Sequence, residues 1–342
     1  MAAAIALVRA FAACGLAAGL MAQGDTVTLD DGTVYADVRV VAFDVQALKF
    51  VRANVPDQVA SDRVARVELA KVHELLAAAP DVAGVLAMAR EQAAAKNPLV
   101  AQMLFAAAAG RSQGAAAVAV WEELATALPA AGLTPEAFRR RFAFQLGLGG
   151  KGQATAAAVA KKYLAEAIRG VWPAGFALEA EFLLALAERG NARVFQGKLR
   201  TLIDKTATVA PVVHDRARVE LAHMLAASKE GVDEARGIFD SLATRDGVDA
   251  TARGGAWLGL GRLGLAAAGD DKNALRKAML AFLRVGVECA DAWPNVRAEA
   301  LCGAITAAQR WRGPDHARVV ANCRAALRAD FAGTEWAESQ GR

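Results

Sequence analysis

Two glycine-rich stretches have spacings that are typical of phosphate-binding loops. The first, GLGRLG at residues 259–264, satisfies G-x-G-x-x-G, in which glycines let the backbone approach the pyrophosphate of a dinucleotide. That chemistry needs a strand before the loop and a helix that opens from it. Here no strand precedes the motif, and its residues lie within a predicted helix. We therefore predict that these glycines allow close packing of helices and bind no cofactor.

The second stretch, GLGGKGQAT at residues 147–155, is similar to a P-loop and departs from it at two positions. Gln145 stands where the motif has its first glycine. Gly152 follows Lys151, where the motif has the Ser or Thr that holds Mg²⁺. We predict a turn between two helices at this place.

The histidines and acids form no pattern that indicates catalysis or metal binding. The four histidines are His73, His214, His223 and His316. None has another His or a Cys at a metal-ligand spacing. Adjacent acids, such as Glu122 and Glu123, point in different directions on a helix and share no pocket. We predict no catalytic, cofactor-binding or metal-binding residues, although carboxylates distant in sequence stay open as a site.

The composition and charge favour closely packed helices. Hydrophobic residues make up 55% of the 342 residues and aromatic residues only 6%, so much of the apolar content is alanine, the best helix former. The formal charge of +4 is too small to indicate binding to nucleic acid or to a membrane surface. No stretch after the N-terminal segment is long and uncharged enough for a membrane span.

Residues 1–22 have the pattern of a secretory signal peptide. Arg9 precedes an apolar run of about 13 residues, and Ala22 provides a small residue for cleavage. Two alternatives stay open: a lipoprotein signal with its lipid on Cys14, and an ordinary alanine-rich helix. The signal peptide predicts export to the periplasm or cell envelope.

Three cysteines remain after the predicted cleavage: Cys289, Cys302 and Cys323. An odd number does not indicate a disulfide framework. Two interpretations are open: all three are isolated buried thiols, or Cys302 and Cys323 pair across adjacent helices in an oxidising compartment.

Residues 25–69 alternate apolar and polar side chains in five short runs. The runs at 26–29 and 33–43 flank the turn residues Asp30, Asp31 and Gly32, which indicate a hairpin. Five short strands bury little core by themselves, so they should either close as a small β-barrel or lean on the helices, and we predict the barrel. The segment resembles the small SH3-like or Sm-like barrels of bacterial envelope proteins.

From residue 70 onward the apolar spacing is helical, and it recurs at steps of roughly 38 to 44 residues. Each unit has the pattern of two helices joined by a short turn. The predicted pairs begin near Asn97, Thr134, Ala174, Val212, Ala250 and Pro294. We predict linking or capping helices at 70–96, the repeat array at 97–330 and a C-terminal tail at 331–342.

Small and aromatic residues recur at fixed places in these units. On the first helices, Ala222 and Gly259 stand beside leucines. The second helices carry an alanine and an aromatic residue one turn apart: Ala117 and Trp121, Ala235 and Phe239, Ala278 and Phe282, with Val159 and Tyr163 as a near match. These features resemble the tetratricopeptide repeat (TPR). The resemblance implies a mainly α fold, a right-handed α-solenoid of helical hairpins whose groove binds protein or peptide partners.

Four arginines lie six residues before the small residue of a first helix: Arg141, Arg216, Arg253 and Arg297. The unit between the first two carries Glu179 at that position. In a TPR-like array this position faces the concave groove, so stacked units form a broken basic ladder that suits an acidic peptide or a carboxylate-bearing polymer. Alternatively, each arginine pairs with a neighbouring acid such as Glu220 or Glu299.

We therefore predict an exported, non-catalytic binding or scaffold protein of the cell envelope, with protein or peptide partners. One alternative is an envelope enzyme that acts on cell-wall polymer, which two facing carboxylates in a deep pocket would favour. Another is a structural spacer whose β module self-associates.

Overall fold

The structure is a computed structural model that describes residues 24–29, 31–43, 46–112, 114–127, 135–170, 172–331 and 334–340. The predicted signal peptide at residues 1–22 lies outside these residues. Within them, fifteen α-helices follow one small antiparallel sheet, so the prediction of a mainly α protein is confirmed. Across the same ranges, no helix combines the length and the apolar character that a membrane crossing requires.

The helices begin where the sequence signals helix starts. Proline is the first residue of α3, α5, α9 and α13, and it suits that position because its missing N–H has no partner there. Acid or amide side chains cap α2, α8, α11 and α12. The fifteen helices are α1 Ala70–Ala78, α2 Val82–Ala94, α3 Pro98–Arg111, α4 Gly114–Ala127, α5 Pro135–Gly147, α6 Gln153–Arg169, α7 Ala174–Ala187, α8 Ala192–Thr206, α9 Pro211–Leu225, α10 Val232–Thr244, α11 Ala250–Ala267, α12 Lys272–Glu288, α13 Pro294–Trp311, α14 His316–Asp330 and α15 Glu335–Gln340.

The sheet has the predicted strands, but it is open and does not close into a barrel. The strands are β1 Asp25–Leu29, β2 Val34–Phe43, β3 Ala47–Arg52, β4 Val55–Ala60 and β5 Val64–Glu68. Their order is β4-β3-β2-β1-β5, and each neighbouring pair is antiparallel. The strands β4 and β5 therefore form opposite edges of an open sheet, and the predicted closure into a barrel is wrong.

Helices cover the apolar side chains of the sheet, which is why it needs no closure. Val27, Leu48 and Phe50 are buried, and they belong to one continuous core with Val72 of α1 and Val85 of α2. Because α1 begins two residues after β5 ends, a helix is available to bury these side chains directly.

One carboxylate joins the sheet to the helices. Asp25, at the start of β1, accepts a hydrogen bond from the backbone N–H of Val40 at 2.7 Å and another from that of Ala70 at 2.9 Å. The side chain thus links β1, β2 and the first residue of α1, where unpaired N–H groups and the helix dipole favour an acid.

The odd-numbered helices form a continuous row. Each of them from α3 to α13 packs against the helix that follows it, and each from α1 to α11 also contacts the next odd-numbered helix. The row turns back on itself, because α5 contacts α13. At this return contact the rings of Phe142 and Trp293 lie 5.9 Å apart, and Arg66 of β5 lies 3.4 Å from Asp291. Helices α5, α7, α9, α11 and α13 therefore form a closed ring of contacts.

Glycines of the GLGRLG stretch receive aromatic rings from both neighbouring helices. A methyl group added at Gly259 of α11 would lie 2.3 Å from Cζ of Phe239 in α10. Additions at Gly261 of α11 and Gly303 of α13 would lie 2.7 Å and 2.5 Å from the ring of Phe282 in α12. The prediction that these glycines allow close helix packing is confirmed. The GLGGKGQAT stretch is likewise a turn, with a short 3₁₀ segment at Gly149–Gly152 between α5 and α6.

We expect Gly259→Ala to lower the free energy of unfolding by about 1–3 kcal/mol, because the added methyl group overlaps a buried ring. Gly237→Ala in α10 is the matched control, since nothing lies within 4 Å of a methyl group at that position. It should raise the free energy of unfolding by roughly 0.5–1 kcal/mol through better helix propensity. Urea unfolding measures both changes, and a neutral Gly259→Ala would contradict the packing described above.

Candidate functional site

Four odd-numbered helices, α7, α9, α11 and α13, contribute side chains to a cavity of about 230 Å³. Apolar residues form part of its wall, including Phe182, Val219, Leu258 and Trp293. Six ionisable residues line the same cavity: Arg189, Arg216, Glu220, His223, Arg262 and Glu299. The wall is therefore mixed, with polar and charged side chains making up much of it, and convergent polar groups beside apolar residues are a feature of ligand sites.

Arg216 is held by three elements at the edge of the cavity. Its Nε and Nη2 donate to the two carboxylate oxygens of Asp249 at 3.2 Å and 2.9 Å. Its guanidinium also lies 4.8 Å from the ring centroid of Trp293. Asp249 in turn caps α11 by accepting from the N–H groups of Thr251 and Ala252. The Arg216 charge is therefore used to join α9, α11 and the residue that precedes α13.

The surroundings of Asp249 keep it ionised. Burial alone would raise the pKa of this carboxyl group. Arg216 and the two N–H groups of α11 outweigh burial and lower the pKa below its usual range. A permanent ion pair at this place means that Arg216 adds no net charge to the cavity.

A second ion pair crosses the cavity wall between Arg262 of α11 and Glu299 of α13. Three other polar side chains that line the cavity have no such partner. Among the described residues, Glu220 of α9, Arg189 of the turn after α7 and Asn295 of α13 make no hydrogen bond and no ion pair, and the Oδ1 atom of Asn295 is buried. Buried polar atoms in folded proteins usually have partners, so Asn295 is a candidate for contact with a ligand, together with the half-buried Glu220 and the exposed Arg189 of the same cavity.

Burial shifts the pKa values of two neighbouring side chains of α9, Glu220 and His223, in opposite directions. It raises the pKa of Glu220 to about 7; Arg189 and Arg262 oppose the rise, and Glu299 adds to it. Burial and the charge of Arg262 lower the pKa of His223 to about 3. The imidazole, whose ring lies 4.9 Å from that of Phe239, is therefore neutral, and Glu220 changes its charge near neutral pH.

We expect these two shifts to oppose each other in the pH dependence of stability. The folded state binds the Glu220 proton more tightly than the unfolded state does, so stability is lost as pH rises from 4.5 to about 7. The folded state disfavours the His223 proton, so stability is gained as pH rises from about 3 to 6.5. Between pH 4.5 and 6.5 the two slopes largely cancel in the wild-type protein.

In Glu220→Gln, the free energy of unfolding should show the pH dependence that His223 alone causes. The free energy of unfolding of this variant is expected to rise by about 2–3 kcal/mol more than that of the wild type over this range, at about 1.4 kcal/mol per pKa unit. Urea unfolding at several pH values measures the difference, and His223→Gln should show the reverse slope. Parallel profiles for wild type and Glu220→Gln would contradict these assignments.

We also expect Arg216 and Asp249 to be energetically coupled. A double-mutant cycle of Arg216→Gln and Asp249→Asn should give a coupling energy of about 1–3 kcal/mol, because asparagine keeps the helix cap and removes only the charge. The exposed pair Arg52 and Asp57, 3.9 Å apart, is the control and should give less than about 1 kcal/mol. Equal coupling energies in the two pairs would show that the Arg216–Asp249 pair stabilises the fold no more than an exposed ion pair does.

The structure brings only one of the four predicted ladder arginines, Arg216, to the cavity. Arg253 donates to the carbonyl oxygen of Arg245 at 2.9 Å. Arg297 lies 3.7 Å from Asp330 and 5.3 Å from the ring centroid of Phe331, and Arg141 is half-buried in α5. Groove binding by these four residues stays a prediction.

The acids of these units have other partners than the sequence indicates. Glu179, the ladder position of its unit, is buried and accepts hydrogen bonds from Arg139 and Tyr163. Glu220 and Glu299, expected as partners of the ladder arginines, line the cavity instead. The sequence indicates the cavity position of these two glutamates only weakly, by a charged residue inside an apolar helical run, as in VELAH at residues 219–223. Only the packing of α9, α11 and α13 shows which charges meet.

No metal centre is formed by the described residues, which contain no group of three or more His, Cys, Asp or Glu side chains able to hold an ion. Cys289, Cys302 and Cys323 are free thiols, and burial raises the pKa of each to about 11. Thiols with raised pKa values are poor nucleophiles. Comparison with protein-family models, with curated proteins and with solved structures finds no match for this chain.

Proposed function

We propose that this chain is a non-catalytic binding or scaffold protein, built as a right-handed TPR-like α-solenoid and exported to the cell envelope. Export rests on the signal-peptide pattern of residues 1–22. The solenoid architecture is supported by helix pairs that begin at or next to each predicted position, and by the contacts along the odd-numbered row. In such an array the odd-numbered helices form an inner row, and this inner row provides the surface for a protein or peptide partner.

One observation carries the binding function. The inner row contains a cavity in which Arg189, Glu220 and Asn295 have neither hydrogen bonds nor ion pairs among the described residues. The Oδ1 atom of Asn295 is buried, and a buried polar atom without a partner costs stability that a ligand recovers on binding. The half-buried Glu220 and the exposed Arg189 line the same cavity and can pair with the same ligand. A partner that inserts one end group into the cavity, and lies along the inner helices beyond it, satisfies both features.

A second candidate function is an envelope enzyme that acts on cell-wall polymer. Glu220 and Glu299 line the same cavity; burial raises the pKa of Glu220 to about 7, and Glu299 forms an ion pair with Arg262. One neutral and one ionised carboxyl group in a cleft is the arrangement by which glycosidases divide acid and base roles. If this candidate is correct, Glu220→Gln and Glu299→Gln each abolish hydrolysis of purified wall polymer.

Site-specific photo-crosslinking tests the binding function. A crosslinker at the exposed position 190, next to the cavity residue Arg189, should capture a defined envelope partner, and a crosslinker at the exposed position 276 of α12 should not. Asn295→Leu combined with the position-190 crosslinker should abolish capture, because the leucine fills part of the cavity while the surface stays the same. Capture that is equal from both positions, or unaffected by Asn295→Leu, would remove the cavity from the binding surface.

A further inference from the structure

We propose that the cavity binds a monocarboxylate that carries an N–H or O–H donor beside its carboxylate, and that it binds this ligand more tightly when Glu220 is protonated. The inference rests on the proposed binding function and names the chemistry of its ligand. It is carried by the charges and the unpaired polar atoms that the cavity presents.

The sign of the ligand charge follows from the arginines. Three arginines line the cavity, and two of them are neutralised: Arg216 by Asp249 and Arg262 by Glu299. Arg189 remains, without an ion pair among the described residues. While Glu220 is protonated, one net positive charge remains at this partly enclosed cavity and calls for one negative charge, and a guanidinium pairs well with a planar carboxylate.

The donor on the ligand follows from Asn295. Its Oδ1 atom is buried, lines the cavity and accepts no hydrogen bond from the described residues. An acceptor in this state needs an N–H or O–H group, and no neighbouring side chain of the cavity supplies one. A ligand with a donor next to its carboxylate reaches Arg189 and Asn295 together.

The size of the ligand follows from the cavity volume. A dry protein cavity of about 150 Å³ holds benzene, so the space of about 230 Å³ holds roughly nine non-hydrogen atoms. The apolar residues Phe182, Leu258 and Trp293 favour a ligand with a small hydrophobic portion. A free acid of this size fits, and so does the last residue of a longer polymer.

The dependence on protonation follows from the position of Glu220 in the same wall. The charged groups around it are Arg189 from the turn after α7, Arg262 from α11 and Glu299 from α13, with neutral His223 one turn along α9. When protonated, Glu220 donates a hydrogen bond to an anion. When ionised, it repels the anion and neutralises Arg189. The affinity for a carboxylate should therefore fall about tenfold per pH unit above the pKa of Glu220.

Titration calorimetry of the full chain with N-acetyl-alanine tests the inference, with the neutral N-acetyl-alanine amide as the control ligand. We expect a dissociation constant in the range of about 1 mM or below at about pH 5, and at least tenfold weaker binding at about pH 9. Glu220→Gln should bind equally well at both pH values. Arg189→Gln should lose about tenfold or more at about pH 5, whereas Arg276→Gln on α12 should bind like wild type.

Equal affinity for the acid and its amide, an unchanged affinity of Arg189→Gln, or no binding up to about 10 mM would each overturn the inference. An acetylated peptide ending in alanine separates the two sources of the carboxylate: tighter binding than N-acetyl-alanine indicates the end of a polymer, and equal binding indicates a free acid. Crosslinking of a partner at position 190 without binding of the acid would refute the ligand chemistry and leave the proposed function standing.

Discussion

The fold around the cavity depends on the close approach of helices α10 to α13. This approach is possible because phenylalanine rings lie directly on glycines of the neighbouring helices. Phe239 of α10 lies on Gly259 of α11, and Phe282 of α12 lies on Gly261 of the same helix; a side chain at either glycine would collide with the ring. Large side chains on one helix and none on the next let the axes come near without leaving voids. Because α11 is held from both sides, its charged and polar residues have fixed positions relative to those of α9 and α13.

This fixed geometry decides which charged side chains of the inner row can contact a ligand and which already have partners within the protein. Arg216 is the most conspicuous cation of the row, yet Asp249 and Trp293 use it to join successive units. Arg262 is used in a similar way by Glu299. What remains is Arg189, Glu220 and Asn295, whose side chains make no hydrogen bond and no ion pair among the described residues and are therefore free to contact a ligand.

Local features of the fold were predictable from the sequence, and features that depend on distant contacts were not. Alternation and the Asp31-Gly32 turn predicted β1 and β2, because strand pairing in a hairpin is local. The barrel prediction was wrong because closure depends on whether β4 meets β5 or helices cover the sheet first. Sequence spacing placed Arg216 on the inner row, but it could not indicate that Asp249, from the next unit, would neutralise it.

The return contact between α5 and α13, with Arg66 beside Asp291, changes how the array should respond to damage. In an open array of repeats, stability is close to a sum over nearest neighbours, and the terminal units fray independently. Here the second and the sixth helix pairs also share an interface, so the stability includes a contribution from a contact between pairs that are distant in the chain. Loss of packing in one unit therefore weakens a unit far away in sequence, and the described units should unfold as one cooperative body.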